Sequence, residues 1–309
     1  MTSAAAEKIS IRIEVLNSEK PILLATDRDS LSIRAGTIVE IGSAIHRFAD
    51  DTPVPLVELK GGKDYAVAID AAGQPFAEEV SHHNPLGAGY FAGFHFAAGG
   101  HAQGIIGGDV IPAINPYSFW NIGFRPACAD PRGMTLVEVD GGRRFWVDIY
   151  LLGVDHLEQG TSRYGAIIAD GRDLPARPDG SGKYKKLDYA TAAEIAAHHG
   201  KRLIGAEEFF AAAYGVKERC SRAGEPTTAG ALNDGAERFI SQRGLFDATG
   251  TMWQWGTDGH PDDPRPSIFG GSWFFGSYSG SRGAHLVYWD VCSYGSVGVR
   301  FGSDHLSPV

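Results

Sequence analysis

The sequence predicts an α+β protein, mainly β, and three observations carry that prediction. Apolar and polar residues alternate over short runs, which is the period of a half-buried strand. The 309-residue chain holds 41 glycines and 16 prolines, so turns are frequent and long helices few. Only two stretches, both after residue 187, read as helices. The length leaves room for two domains, each with its own core.

Along the chain, Ile9, Ile11, Ile13 and Val15 alternate with polar neighbours and predict a strand over 9–15. Similar strands are expected at 32–41, 54–59 and 64–69, each closed by Gly, Pro or Asp. Residues 87–108 mix glycine with aromatics and carry no charge before Asp109. Residues 1–115 therefore read as an antiparallel β unit of the sandwich type. Pro112, Asn115 and Pro116 interrupt it, and a strongly apolar strand is expected over 145–152. The first helix has Asp188 as its N-cap and Gly200 just past its end. The second runs from about Ala206 to Tyr214 and stops at Gly215. After Gly250 short strands and turns return.

Composition excludes several functions. A net charge of -9 with no basic stripe argues against a nucleic-acid partner. Lys183, Lys185 and Lys186, the densest basic cluster, read as a solvated loop. Residues 1–8 lack the apolar centre of a signal peptide, and no apolar run is long enough to span a membrane. Cys128, Cys220 and Cys292 are odd in number and widely spaced, so neither a disulfide framework nor a zinc site is expected.

The segment 267–303 is the most unusual. Its only charges are Arg282, Asp290 and Arg300, while Phe269, Trp273, Phe274, Phe275, Tyr278, Tyr288, Trp289, Tyr294 and Phe301 stand among Ser and Gly. Rigid aromatic rings with adaptable small polar residues are the chemistry of a binding surface. The same rings would also serve a core, and composition alone leaves both readings open. Trp273-Phe274-Phe275 puts rings on both faces of any strand, and Ser277-Tyr278-Ser279-Gly280-Ser281 reads as too polar to be buried, which favours the surface.

Catalysis needs convergent titratable groups, and the chain offers few. His198 and His199 end a helix and are expected to interact with its C-terminus. His82-His83 is a metal candidate set in a turn, and Asp258, His260, Asp262 and Asp263 form an acidic loop without EF-hand spacing. Cys220 lies beside Arg219 and Arg222, which would lower its pKa. Asp304-His305 has no nucleophile nearby in sequence. A binding protein without cofactor or metal is the expectation.

His199-Gly200-Lys201-Arg202-Leu203, Gly205-Ala206-Glu207-Glu208-Phe209, Trp253-Gln254-Trp255, Phe269-Gly270-Gly271-Ser272-Trp273 and Gly298-Val299-Arg300 resemble the C-type lectin fold. The branch is the one shared by formylglycine-generating enzymes and by variable proteins of diversity-generating retroelements. Stretches 33–40, 124–127, 130–137, 148–154 and 304–306 resemble the major tropism determinants, receptor-binding proteins of bacteriophage tail fibres. The likeness covers roughly residues 30–309, and its motifs are specific. It implies a short N-terminal segment over 1–33, an intermediate β-sandwich domain over 34–123 and a C-type lectin domain over 124–309, with a variable region at about 269–303. It further implies a homotrimer at a virion tail-fibre tip, and a host cell-surface receptor that the aromatic, weakly charged patch suits better as protein than as glycan.

The resemblance also implies that selected codons of the AAY type are rewritten at their adenines. Carried over by position, the variable, receptor-binding residues are Ser272, Phe274, Phe275, Gly276, Tyr278, His285, Val287, Tyr288, Cys292, Tyr294, Ser296 and Val297. All of these are reachable from AAY codons, whereas Trp273 and Trp289 are not. Gly270, Gly271, Trp273, Arg282, Gly298 and Arg300 would then be scaffold: glycines for tight turns, the Trp for the core and the arginines for inward hydrogen bonds. The chain departs from the family in two places. Only a short segment precedes the match where the family carries a β-prism, and Leu286 stands where the family carries a Trp, with Trp289 three residues later. The alternatives are a cellular, surface-displayed variable protein, which genomic neighbours would distinguish, and a formylglycine-generating type of enzyme. Such an enzyme needs paired cysteines, and Cys292 stands alone.

Overall fold

The alternation read from the sequence becomes strand pairing in the N-terminal third. In the computed structural model, which describes residues 10–259 and 263–306, Ile11–Glu14 pairs antiparallel with Thr37–Ile41, which pairs in turn with Ala44–Phe48. A second sheet joins Leu23–Asp27, Ser30–Ile33 and Thr52–Pro53. The third is built on Lys63–Ile69, flanked by Pro75–Glu79 and Ala92–Ala97, with Ala113–Ile114 and Trp120–Asn121 added to the latter. Leu23, Ile33, Val39, Val67 and Phe94 from these sheets meet in one core. Each such burial stabilises by roughly 1.5–3 kcal/mol, which is why strands on both sides of residue 33 hold together.

Two expected strands take a different form. The stretch 32–41 is divided by a turn in which Gly36 adopts φ 79° and its N–H donates to Phe48 O at 2.7 Å. The stretch 54–59 forms no strand. Pro53 and Pro55 have no N–H to give a ladder, so pairing stops after Thr52–Pro53 and one bridge from Leu56 to Ala77.

In the second part, one sheet runs Met134–Glu138, Arg144–Asp148, Phe301–Asp304, Arg202–Leu203. The other runs Ala284–His285, Arg265–Phe269, Trp253–Asp258, Val297–Val299, with the last pair parallel. The expected strand at 145–152 pairs only to Asp148. Ile149, Tyr150, Leu151 and Leu152 remain fully buried but leave the ladder, because the chain crosses there between the sheets and Leu152 N–H donates to Val299 O at 3.0 Å. Arg300 lies between the two C-terminal strands with no exposed surface. Its guanidinium donates to the carbonyls of Asp148, Ile149 and Phe246 and to Gln254 Oε1, tying both sheets to the crossover.

Helix Tyr189–His198 begins as its sequence dictates: the Asp188 carboxylate accepts the Thr191 N–H at 3.0 Å. It ends against Gly200, whose φ of 64° is a left-handed conformation that glycine adopts without strain. Helix Ala206–Ala212 packs Phe209 on Phe269, rings stacked at 5.1 Å.

A buried polar cluster joins the two parts. Asp64 accepts from His82 (2.9 Å), from His95 (3.0 Å) and from the Gly133 N–H (3.0 Å), and His95 meets the Tyr150 hydroxyl at 3.0 Å. Burial opposes charge on His82, but Asp130 and Asp64 outweigh it and lift the imidazole pKa to about 9. Both ring nitrogens of His82 therefore face carboxylates. The metal reading of His82-His83 gives way to an ion-paired histidine.

Candidate binding surface

The segment after strand Arg265–Phe269 turns sharply at Gly270 and Gly271, with φ of 93° and 81°. A Cβ on Gly271 would lie 2.2 Å from Ser279 Oγ, so only glycine lets the chain fold back here. Ser221 pins the next loop, its hydroxyl donating to Trp273 O (2.8 Å) and accepting from the Gly276 N–H (3.1 Å). Residues Gly276–Tyr278 form one 3-10 turn. Glycines and Ser221 thus fix the backbone of this loop.

Those rings converge. Trp273, Phe274, Phe275, Trp253, His285, Tyr288 and Trp255 form a continuous aromatic seam, each ring 4.6–6.1 Å from the next. The seam joins the two halves of the segment, one around Phe274 and one around His285, although ten residues separate them in sequence.

The twelve expected contact positions divide into three groups. Phe274, Gly276, Tyr278, His285, Val287 and Tyr294 are exposed, Tyr278 to 82% and Val287 to 70%. Phe275, Tyr288, Cys292 and Ser296 are half-buried, and the first three pack on the core cluster around Trp253, Trp255 and Val299. Ser272 and Val297 are buried, at 0% and 1% exposure. These two point away from solvent because Ser272 bridges to Thr251 and Val297 pairs with Trp253 in a sheet.

Several scaffold expectations need correction. Arg300 is buried and hydrogen-bonded inward, but Arg282 is exposed and lies over the Phe210 ring at 5.1 Å. Trp273 is half-buried rather than a core residue. In the stretch expected to be too polar for burial, Ser279, Gly280 and Ser281 are buried, with Glu218 taking the Ser281 N–H and hydroxyl; only Ser277 and Tyr278 are exposed. Leu286, Trp289 and Val291 are exposed to 44%, 76% and 64% and adjoin the expected positions. The charge-poor aromatic run contained the signal for them, but composition does not tell which side chains face out.

The remaining titratable candidates lie elsewhere. His199 is held neutral, its pKa lowered to about 3 by burial and by His156, whose Nδ1 lies 2.9 Å from His199 Nε2. Burial pushes the Cys220 thiol up, contrary to the expected lowering, since Arg222 turns away to Asp247 at 2.8 Å. His305 accepts from the Trp146 indole at 2.9 Å, and Asp304 pairs with Arg202. Lys183, Lys185 and Lys186 are exposed. In the acidic loop Asp258 faces Arg265 at 3.7 Å, while His260 and Asp262 lie outside the described residues. Among the described residues, no three His, Cys, Asp or Glu side chains gather as a metal site, and no helix is long and apolar enough to cross a membrane. The surface suits recognition through apolar contact.

Comparisons with known proteins agree with this architecture. The family described as Mtd second domain matches residues 21–121. A tail fiber receptor-binding protein of Bordetella phage BPP-1 is 38% identical over 315 residues, covering 91% of this chain and 81% of the relative. Among solved structures, the Major Tropism Determinant I1 variant superposes with a TM-score of 0.86 at 36% identity, covering 95% of this chain and 86% of that one. The U1 variant gives 0.85 at 36% identity, with 96% and 86% covered.

Proposed function

The chain belongs to the major tropism determinant family of phage tail-fibre receptor-binding proteins, and from that premise we propose that it attaches a phage to its host through the aromatic face between Ser272 and Val297. The observation that carries the proposal is the seam from Phe274 to Tyr288, which seats exposed Phe274 and His285 and half-buried Phe275 and Tyr288 on the buried Trp253 and Trp255, with the backbone fixed by Gly270, Gly271 and Ser221. Exposed aromatics held at low entropic cost are what a recognition surface requires.

The ten solvent-facing and half-buried positions of the twelve form the contact, and the receptor is a cell-surface protein. A face this poor in charge and in paired hydrogen-bonding groups matches apolar protein relief better than a sugar's hydroxyls. The chain works as a homotrimer at the tail-fibre tip of the virion, where several weak contacts multiply through effective concentration. The division into 1–33, 34–123 and 124–309 follows the same reading, with the lectin-type domain carrying the contact and the sandwich linking it to the fibre. No catalytic step is assigned to it. Cys128, Cys220 and Cys292 are free thiols, and Cys292 faces the Tyr294 hydroxyl at 3.6 Å rather than a second cysteine.

The test replaces Phe274, Tyr278 and Tyr294 by Ala together and measures retention of the labelled chain on bacterial cells that bind the parent. Loss of retention with an unchanged melting temperature supports the reading. A lower melting temperature with retention intact would show that these rings belong to the core.

A further inference from the structure

The most exposed large ring in the second half of the face belongs to a residue outside the twelve. Trp289 is 76% exposed, and no ring lies stacked or edge-on against it among the described residues. Leaving an indole in water forgoes one of the largest apolar burials a side chain can make. A disordered loop would explain that, but this loop is tied to other elements at three points and closed by one internal bond. The Tyr288 N–H donates to Pro266 O at 2.8 Å, the Tyr189 N–H to Asp290 O at 3.1 Å and the Cys292 N–H to Trp289 O at 3.1 Å. Ser293 Oγ accepts the Leu187 N–H at 2.8 Å.

The neighbours of Trp289 show why its ring is outside. Tyr288 and Cys292, on either side, both pack inward on the cluster around Trp255 and Val299. The turn between them carries Trp289 on its outer side. Leu286, Val287 and Val291, within three residues of it in sequence, are exposed as well and add aliphatic surface to the same loop. A rigid backbone with a free, large amphipathic side chain is the arrangement of an interface anchor, because little entropy remains to be lost when the ring is buried.

We propose that Trp289 is the anchor of the receptor contact, inserting its ring into an apolar pocket of a partner protein that also offers an acceptor to the indole N–H. Leu286 and Val291 form the dry rim around it. This inference rests on the proposed function and adds to it a residue and the shape of the partner's surface: a concave aliphatic pocket with one carbonyl or carboxylate at its base.

The test uses the full chain in four forms: parent, Trp289→Ala, Trp289→Phe and the triple variant at Phe274, Tyr278 and Tyr294. Acrylamide quenching of tryptophan fluorescence comes first. Parent emission should be more quenchable than that of Trp289→Phe, and equal quenching would overturn the exposed placement. Retention is then measured on a bacterial strain that holds the parent chain. Trp289→Ala should weaken it roughly tenfold or more, Trp289→Phe less, with melting temperatures unchanged. If Trp289→Ala binds like the parent while the triple variant does not, the anchor is wrong and the face stands. If neither variant changes retention, the face itself is wrong and the anchor falls with it.

Discussion

The Phe275 ring meets the buried Trp253 indole edge to face, with centroids 5.1 Å apart. One partner belongs to the expected variable set and the other to the core, so recognition and stability share a contact. The sequence sets scaffold residues and variable residues apart as separate groups. The packing of Phe275, Tyr288 and Cys292 on that core corrects this expectation.

A graded stability response follows from the same packing. Phe275→Ala should cost about 2 kcal/mol, or roughly 4–8 °C in melting temperature, because it strips an aromatic contact from Trp253. Phe274→Ala and Tyr278→Ala, at exposed sites, should stay within about 0.5 kcal/mol. Denaturant titration of the three single variants checks the ranking, and equal costs would contradict it.

Buried members of the twelve should tolerate less. Val297→Asp places an unpaired carboxylate in the sheet beside Trp253 and should destabilise by at least about 3 kcal/mol or prevent soluble expression. Val287→Asp, at an exposed site, should leave the fold intact. Comparing soluble yield and unfolding midpoint of the two variants distinguishes the positions.

Arg300 holds the crossover between the sheets. Arg300→Met leaves three carbonyls and the Gln254 amide oxygen without their donor, at a cost of about 3–5 kcal/mol. An unfolding midpoint close to that of the parent would show that water replaces the guanidinium.

Two histidines set opposite pH slopes. His82, with its folded pKa raised from 6.5 to about 9, contributes stability that is complete below 6.5 and is lost as pH rises toward 9. His199, lowered from 6.5 to about 3, contributes stability that is present above 6.5 and is lost as pH falls toward 3. Melting temperature should therefore peak near neutral pH. His82→Gln should flatten the alkaline limb while leaving the acid limb in place, and a parallel shift of the whole curve would contradict the ion-pair assignment.

Much of the architecture was legible from residue order. Alternation at Ile11 and Ile13 predicted a strand because a pleated sheet with one face turned inward imposes that period, whereas Lys63–Ile69 is buried on both faces. Asp188 and Gly200 predicted the helix between them because an N-terminal acceptor and a left-handed glycine are local needs of any helix. The strand expected at 54–59 failed where two prolines removed ladder donors, and the one at 145–152 ended where the chain had to change sheets.

By itself the sequence determined the fold class, the starts of helices Tyr189–His198 and Ala206–Ala212 and the charge-poor aromatic segment, since propensity, capping and composition act between near neighbours; it missed the short helix His156–Gln159 and placed the end of the second helix two residues late. Only the tertiary structure decided which rings of that segment face water. Side-chain direction after Gly271 is set by partners far away in sequence, Thr251 for Ser272, Trp253 for Phe275 and Val297, Pro266 and Tyr189 for the turn carrying Trp289. Outside a regular strand or helix no period links neighbouring residues to a common face, so burial of Ser279 and exposure of Trp289 arise from long-range contacts alone.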